Sequence, residues 1–228
     1  MTIDILPDDA LLEIFSFYLV EASNHIEPWL PLVHVCRRWR GIIFASPRRL
    51  SVRVFYTPKR QVKVMLDIWQ NLPIHISAWG YNALRWHGEN DLIAALEHTD
   101  RICQIQLDGS YSQLEGILLA MQKPFPALAS LGIACSEYNA LAGLPQAFLG
   151  GSAQQLRSCN LWGAEFPGIW KLLSTASHLV TLILWNIPYP MCSSPEQMAT
   201  YLSTLPNLKS LSIGFRSSRS LFWHDQPN

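Results

Sequence analysis

The sequence is poor in cysteine, and its few cysteines follow no pattern that builds a disulfide framework or a metal site. Five occur among 228 residues, an odd number, and no two are close enough to form a CxxC pair. Disulfide scaffolds and zinc sites need denser or paired cysteines. We therefore expect free, largely buried thiols in a reducing compartment, without bound metal or other cofactor. The five are Cys36, Cys103, Cys135, Cys159 and Cys192.

The sequence also lacks net charge and long apolar runs. Lys and Arg number 17, as do Asp and Glu, so the formal net charge is zero and general attraction to nucleic acid is absent. No uncharged apolar run approaches the roughly 18 residues of a membrane span. The N-terminal residues include acids rather than the basic start of a secretory signal, and no Asn-x-Ser/Thr acceptor occurs. These absences predict an intracellular protein, cytoplasmic or nuclear, with neither nucleic acid nor membrane as partner.

Catalytic signatures are missing as well. The sequence contains no GxSxG elbow, Walker loop, GxGxxG or HExxH motif. No two of its seven histidines are three or four residues apart, the spacing of a helical metal pair. We therefore expect no enzymatic activity in this chain.

The first fifty residues predict two helices with excess apolar surface. Pro7, followed by Asp8 and Asp9, is typical of a helix start, because proline tolerates the first turn and carboxylates complement the helix dipole. That helix continues to Val20, and a second one is predicted from Trp29 to about Phe44. So small a unit is only marginally stable alone. Either the following domain covers the excess or another protein does.

Three segments of this region resemble an F-box of the fungal-type family. They are Leu6-Pro-Asp-Asp-x-Leu-Leu-x-Ile-Phe, Leu32-Val-x-Val-Cys-Arg-Arg-Trp-Arg and Ser46-Pro47-x-x-Leu50, although the link between the helices, Val20–Pro31, is longer than in the family. In that family apolar side chains insert into a groove of a Skp-type adaptor, which connects to a cullin. The resemblance implies adaptor contacts for Leu6, Pro7, Leu11, Leu12, Ile14, Phe15, Val35, Cys36 and Trp39.

Basic residues are concentrated just after this region. No Lys or Arg precedes Arg37, and nine fall between Arg37 and Lys63 with no Asp or Glu among them. A solvated basic face is one interpretation. A contact for an acidic partner is the other.

From residue 100 onward one pattern, apolar-x-x-apolar-x-apolar, recurs five times. It starts at Ile102, Leu128, Leu156, Leu179 and Leu208, at spacings of 26, 28, 23 and 29 residues. Such spacing is typical of leucine-rich repeats, in which each unit is a strand plus a helix. Earlier strands are expected at Leu50–Phe55 and Leu72–Ile76. The helices are expected at Pro58–Gln70, Asp91–Glu97, Gln113–Met121, Glu137–Leu149, Pro167–Ala176 and Pro195–Leu205.

The expected fold class is therefore α/β: F-box helices at 1–49 and an irregular leucine-rich-repeat solenoid at 50–228. The asparagine that follows each strand in regular repeats is missing here, hence the irregularity; a generic α/β domain is the alternative. No polar capping helix follows the last strand, so we expect an array shortened at its C-terminal end relative to longer ones.

Alternation along each strand predicts which side chains point away from the core. Most are small or polar, but Trp162, Ile183 and Trp185 are large and suit an interface. The alternative is that these tryptophans fold under a loop or flank the core. We predict a substrate-receptor subunit of a Skp–cullin–F-box ubiquitin ligase that captures an unidentified protein on this surface. A non-catalytic leucine-rich interaction module, its N-terminal helices only capping the array, is the alternative.

Overall fold

The structure is a computed structural model. It describes residues 5–21, 28–47, 49–50, 52, 54–56, 72–78, 89–135, 145, 147–163, 169–187 and 195–215. The predicted helix Pro58–Gln70 and most of the predicted helix Glu137–Leu149 lie outside these residues.

Three helices form the N-terminal part: α1 (Asp8–Glu21), α2 (Leu30–Val33) and α3 (Arg37–Ala45). The prediction of one continuous helix from Trp29 to Phe44 is wrong. Cys36 has extended backbone angles, φ −156° and ψ 171°, and its Sγ accepts the N–H of Trp39 at 3.5 Å as the N-cap of α3. Hydrophobic spacing did not reveal the break, because the residues on both sides of it still contribute to one core.

Within the described residues, seven strands form one parallel sheet, and their spatial order is their order along the chain. Each strand that follows another is therefore its direct neighbour, as when one strand–helix unit stacks on the next. The strands are β1 (Val54–Tyr56), β2 (Ile74–Ala78), β3 (Ile102–Gly109), β4 (Ser130–Cys135), β5 (Ser158–Trp162), β6 (Thr181–Ile187) and β7 (Ser210–Phe215).

In four of the repeats, the first apolar residue of the recurring pattern precedes its strand instead of beginning it. Leu128, Leu156, Leu179 and Leu208 each lie two residues before a strand, and the first three are buried. They fill the turn that leads into the sheet, while the other two apolar positions of each pattern belong to the strand. The pattern therefore marks a turn and a strand together.

Helices connect several of the strands: α4 (Glu89–Leu96), α5 (Tyr111–Ala120), α6 (Ile169–Leu173) and α7 (Pro195–Ser203), with a 3₁₀ turn at Phe148–Gly151. α5 begins two residues before the predicted start. The Oε1 of Gln113 accepts the N–H of Ser110 at 3.0 Å, half of a capping box that fixes this start. The structure confirms the predicted mixed α/β architecture, in which N-terminal helices are followed by a parallel sheet.

Two hydrophobic cores hold the described residues together. One lies between the sheet and its helices and takes alternate strand side chains such as Ile105, Leu131, Cys159 and Leu182. The other lies among α1, α2 and α3. Full burial of one such aliphatic side chain contributes about 1.5–3 kcal/mol, so each core depends on many small terms. The members of the second core are Leu11, Leu12, Phe15, Trp29, Leu32, Val33, Ile42, Ile43, Leu50, Val52 and Leu72.

The described cysteines are free thiols. Cys36 and Cys103 are half-buried, and Cys135 and Cys159 are buried. Burial among apolar side chains raises the pKa of the Cys159 thiol to about 12, so at neutral pH it is protonated and acts as a packing residue. Cys192 lies outside the described residues.

Two phenylalanines of α1 provide a test of this packing. Phe15 is 1% exposed and its ring centroid lies 4.7 Å from that of Trp39, whereas Phe17 is 71% exposed. We expect Phe15→Ala to lower the free energy of unfolding by about 3 kcal/mol or more, and Phe17→Ala by less than about 0.5 kcal/mol. Denaturant unfolding followed by circular dichroism measures both. Equal losses would contradict the burial of Phe15.

Candidate docking surfaces

Ion pairs and a hydrogen bond attach α1 to the basic segment that follows it. Arg38 donates to Asp8 Oδ1 at 2.7 Å and also to the carbonyl of Leu6, and Arg49 pairs with Glu13 and lies 3.8 Å from Asp9. Two of the nine clustered cations therefore face carboxylates of this chain. All of these side chains are at least one-third exposed, so each pair contributes below about 1 kcal/mol. They connect α1 to the start of α3 and to the residues after it.

One side of α1 is buried in the helical core. Leu11, Leu12 and Phe15 are at most 7% exposed, and Trp39 of α3 covers the ring of Phe15. These three side chains were predicted to contact an adaptor. Their burial against the chain's own helices gives them a structural role, and direct contact stays a prediction only for the accessible members of the set.

A neighbouring side of α1 is also apolar, and it is exposed. Ile14, Phe17 and Tyr18 are 44%, 71% and 39% exposed. At about 100° per residue they fall within roughly 100° of the helix circumference. We call these three residues the α1 stripe. Surface helices of globular proteins usually have polar residues on this side, so the α1 stripe is apolar surface without a partner among the described residues.

The predicted adaptor residues thus divide by accessibility. Pro7, Ile14 and Val35 are exposed, and Leu6, Cys36 and Trp39 are half-buried. Phe17 and Tyr18 were not in the predicted set. Both are apolar and follow Ile14 by three and four residues, the spacing of one helix face, and this spacing was the signal that could have identified them.

The second surface is the side of the sheet that faces away from the helices. Pairing in register places its side chains in rows that run across the strands. The first row is Gln104, Ser130, Ser158, Thr181 and Ser210; the second is Gln106, Gly132, Asn160, Ile183 and Ser212; the third is Asp108, Ala134, Trp162 and Trp185. We call these fourteen residues the sheet face.

Trp162 and Trp185 lie side by side at one end of the sheet face. They are register partners on β5 and β6, their ring centroids are 5.8 Å apart with planes at 23°, and they are 47% and 43% exposed. Trp185 Nε1 donates to Ser212 Oγ at 2.9 Å, and its ring lies over Gly214. Ile183, the third predicted residue, is half-buried. Their role in binding a substrate stays a prediction.

Left-handed backbone after each tryptophan holds this pair in place. Gly163 has φ 75° and Asn186 has φ 57°. The N–H of Gly163 donates to the carbonyl of Trp185 at 2.9 Å, which ties the end of β5 to β6. The backbone therefore turns directly after each tryptophan, at the same position along both strands.

A concavity of about 300 Å³ lies beside the tryptophans in the first two rows, lined in part by Gln106, Gly132, Asn160 and Ile183. Gly132, which has no side chain, leaves room in this concavity. The Oδ1 of Asn160 is buried and has no hydrogen-bond partner. A buried acceptor without a donor costs about 1–3 kcal/mol.

Within the part of the chain that the structure describes, no group of three His, Cys, Asp or Glu side chains could hold a metal ion. Among the same residues, no helix combines the length and the apolar composition that crossing a membrane requires.

Comparison with known proteins identifies the N-terminal part. Residues 3–55 match the F-box-like family. The chain carries an F-box-like domain. The matched residues include α1, α2 and α3, and hence the α1 stripe and every member of the helical core except Leu72. No curated protein and no solved structure matches the chain.

Two glycines with similar backbone angles test the turn at Trp162. A Cβ on Gly163 would lie 2.3 Å from the carbonyl oxygen of Cys135, whereas a Cβ on Gly151, at φ 72°, meets no atom within 4 Å. We expect Gly151→Ala to cost about 1 kcal/mol from backbone strain alone, and Gly163→Ala about 3 kcal/mol because a steric clash adds to the strain. If denaturant unfolding gives the same loss of stability for both variants, the close approach of Gly163 to the Cys135 carbonyl oxygen is refuted.

Proposed function

We propose that this chain is the substrate-receptor subunit of a Skp–cullin–F-box ubiquitin ligase. Its F-box-like domain binds a Skp-type adaptor, which connects it to a cullin, and its sheet face captures a substrate protein. The observation that carries the proposal is the α1 stripe, since it is exposed apolar surface on the domain that matches the F-box-like family.

The chemistry of the α1 stripe suits a protein partner. Aromatic residues are enriched at the centres of protein interfaces, where they contribute much of the binding free energy. Phe17 and Tyr18 supply two such rings on a helix whose orientation is set by the burial of Leu11, Leu12 and Phe15. Because Phe15 and Leu11 already stabilise the domain, binding requires no unfolding of the helical core.

The second half of the proposal is that the sheet belongs to an irregular leucine-rich array. Strands in chain order, all parallel, and pattern spacings of 23 to 29 residues support it. Such arrays bind partners on the face formed by the strands. The sheet face is that face here, and it combines small polar residues with two large aromatic ones.

The chain in this proposal is not an enzyme. Ubiquitin transfer is performed by partner subunits, and this chain raises the local concentration of the captured protein near them. A subunit of this kind needs two independent docking surfaces. The α1 stripe and the sheet face involve different elements and different hydrophobic cores.

The alternative is an interaction module whose N-terminal helices only cap the array. In that case the α1 stripe has no adaptor to bind. Retention of a Skp-type adaptor by the full chain decides between the two. Two further measurements then separate a ligase receptor from an adaptor-bound module that directs no degradation. For a ligase receptor, a cullin co-purifies with the chain and the captured protein is ubiquitinated.

Truncating the α1 stripe should weaken adaptor binding without unfolding the chain. For the double variant Ile14→Ala, Phe17→Ala we expect at least a tenfold higher Kd for a purified Skp-type adaptor, measured by calorimetry. Leu119→Ala is the matched control, because Leu119 is 53% exposed on α5. Unchanged affinity in the double variant, or an equal loss in the control, would refute docking through this stripe.

Removing the two stacked rings should separate substrate capture from adaptor binding. We expect the double variant Trp162→Ala, Trp185→Ala to lose its captured protein while adaptor affinity stays within twofold, because the tryptophans contribute to neither hydrophobic core. Mass spectrometry of material co-purified with each form measures both. Capture at the wild-type level would contradict a role for the pair.

A further inference from the structure

We propose that two copies of this chain form a dimer through β7, with the two β7 strands paired antiparallel about a two-fold axis at Ile213. The partner is a second copy of the chain, and the inference does not depend on the function proposed above.

The core-side residues of β7 are exposed, unlike those of the strand before it. Leu211 is the register partner of Leu182, and Ile213 is that of Leu184. Leu182 and Leu184 are buried in the core between the sheet and its helices. Leu211, in contrast, is 44% exposed, and Phe215, which alternation places on the same side of the strand, is 52% exposed. The apolar layer of the sheet therefore reaches the surface at β7.

β7 is also an edge of the sheet. Among the described strands only β6 pairs with it. Proteins usually protect an edge strand from further pairing with charged side chains or proline, but Ser210–Phe215 contains neither. Exposed apolar side chains and an unprotected edge occur together here, and a strand with matching apolar residues would satisfy both.

The sequence of β7 is self-complementary about Ile213. In an antiparallel pair centred there, Ile213 is opposite its own copy, Leu211 is opposite Phe215, and Ser212 is opposite Gly214. Opposing residues of such a pair point to the same side of the sheet. Apolar side chains therefore meet apolar ones, and small residues meet small ones. A two-fold interface requires a surface of this kind, which complements itself.

Other centres pair these residues less well. Moving the axis to Ser212 would place Phe215 opposite Lys209, an aromatic ring beside a cation at the end of the strand. Moving it to Gly214 would place Leu211 opposite residue 217, beyond the end of β7. Only the axis at Ile213 pairs all three apolar residues of the strand with one another.

The dimer joins the two sheets into one. Because the axis is perpendicular to the sheet, both sheet faces lie on the same side, so a dimer can hold two copies of a ligand or two segments of one ligand. The contact itself is short, six residues from each copy. Interfaces of this size are weak, so we expect a reversible dimer with a Kd on the order of 10 μM.

Sedimentation velocity of the purified full-length chain tests the association. Between about 1 and 100 μM the wild type should change from monomer to dimer, and Leu211→Lys should raise the Kd at least tenfold, because it places a charge in the apolar contact. Leu119→Lys is the matched control, since Leu119 is 53% exposed on α5, and it should leave the Kd unchanged. Thermal unfolding confirms that each variant is folded.

Cysteine variants test the register. Diamide, which takes up two electrons and two protons from a pair of thiols, should cross-link an equal mixture of Leu211→Cys and Phe215→Cys. Opposing Cα atoms are about 4.5–5.5 Å apart, within the range of a disulfide. Neither variant alone should cross-link, because its two cysteines would be about 14 Å apart along the strands. The wild type shows the background from the native thiols.

Several results would overturn the proposal. A wild type that stays monomeric over the whole range would mean that another part of the chain or another protein covers β7. Equal association of Leu211→Lys and the wild type would place the contact elsewhere. Equal cross-linking of the mixture and the single variants would exclude the register, and species larger than a dimer would exclude a closed two-fold contact.

Discussion

The parallel pairing of neighbouring strands is the constraint on which most of this structure depends. Each strand must give one set of alternate side chains to the core, because helices cover only one side of the sheet. Ile105, Leu131, Cys159 and Leu182 are successive register partners that meet this requirement. The same register then fixes which residues of neighbouring strands are side by side on the face that points away from the core. Trp162 is opposite Trp185 because Cys159 is opposite Leu182, three residues earlier in both strands.

The N-terminal helices follow a different principle. α1 is apolar on two sides, and only one of them contributes to the helical core. A globular domain without partners would have little use for the second side. Leu11 and Phe15 stabilise the domain, and the α1 stripe stays exposed, so different residues of one helix form the core and the exposed apolar surface.

These two arrangements give the chain two separate exposed surfaces, which belong to different hydrophobic cores. The α1 stripe is apolar, with two aromatic rings. The sheet face is mostly small and polar, with aromatic surface concentrated at the end where Trp162 and Trp185 stack. In the function proposed above, the α1 stripe binds the adaptor and the sheet face binds the substrate protein.

For the strands of the described residues, the sequence by itself determined their order along the chain and the residues that alternate on each strand, because periodicity is a local property of the chain. It also identified the F-box resemblance, which the family match at residues 3–55 supports. It did not reveal the break at Cys36, because an N-cap changes backbone angles while leaving apolar spacing intact. Only the tertiary structure decided which side of α1 is buried, and it assigned Leu11, Leu12 and Phe15 to the core and Phe17 to the surface. Only register placed Asp108, Ala134 and Trp162 in one row, since these residues are 26 or more positions apart in the chain and meet only when parallel strands pair.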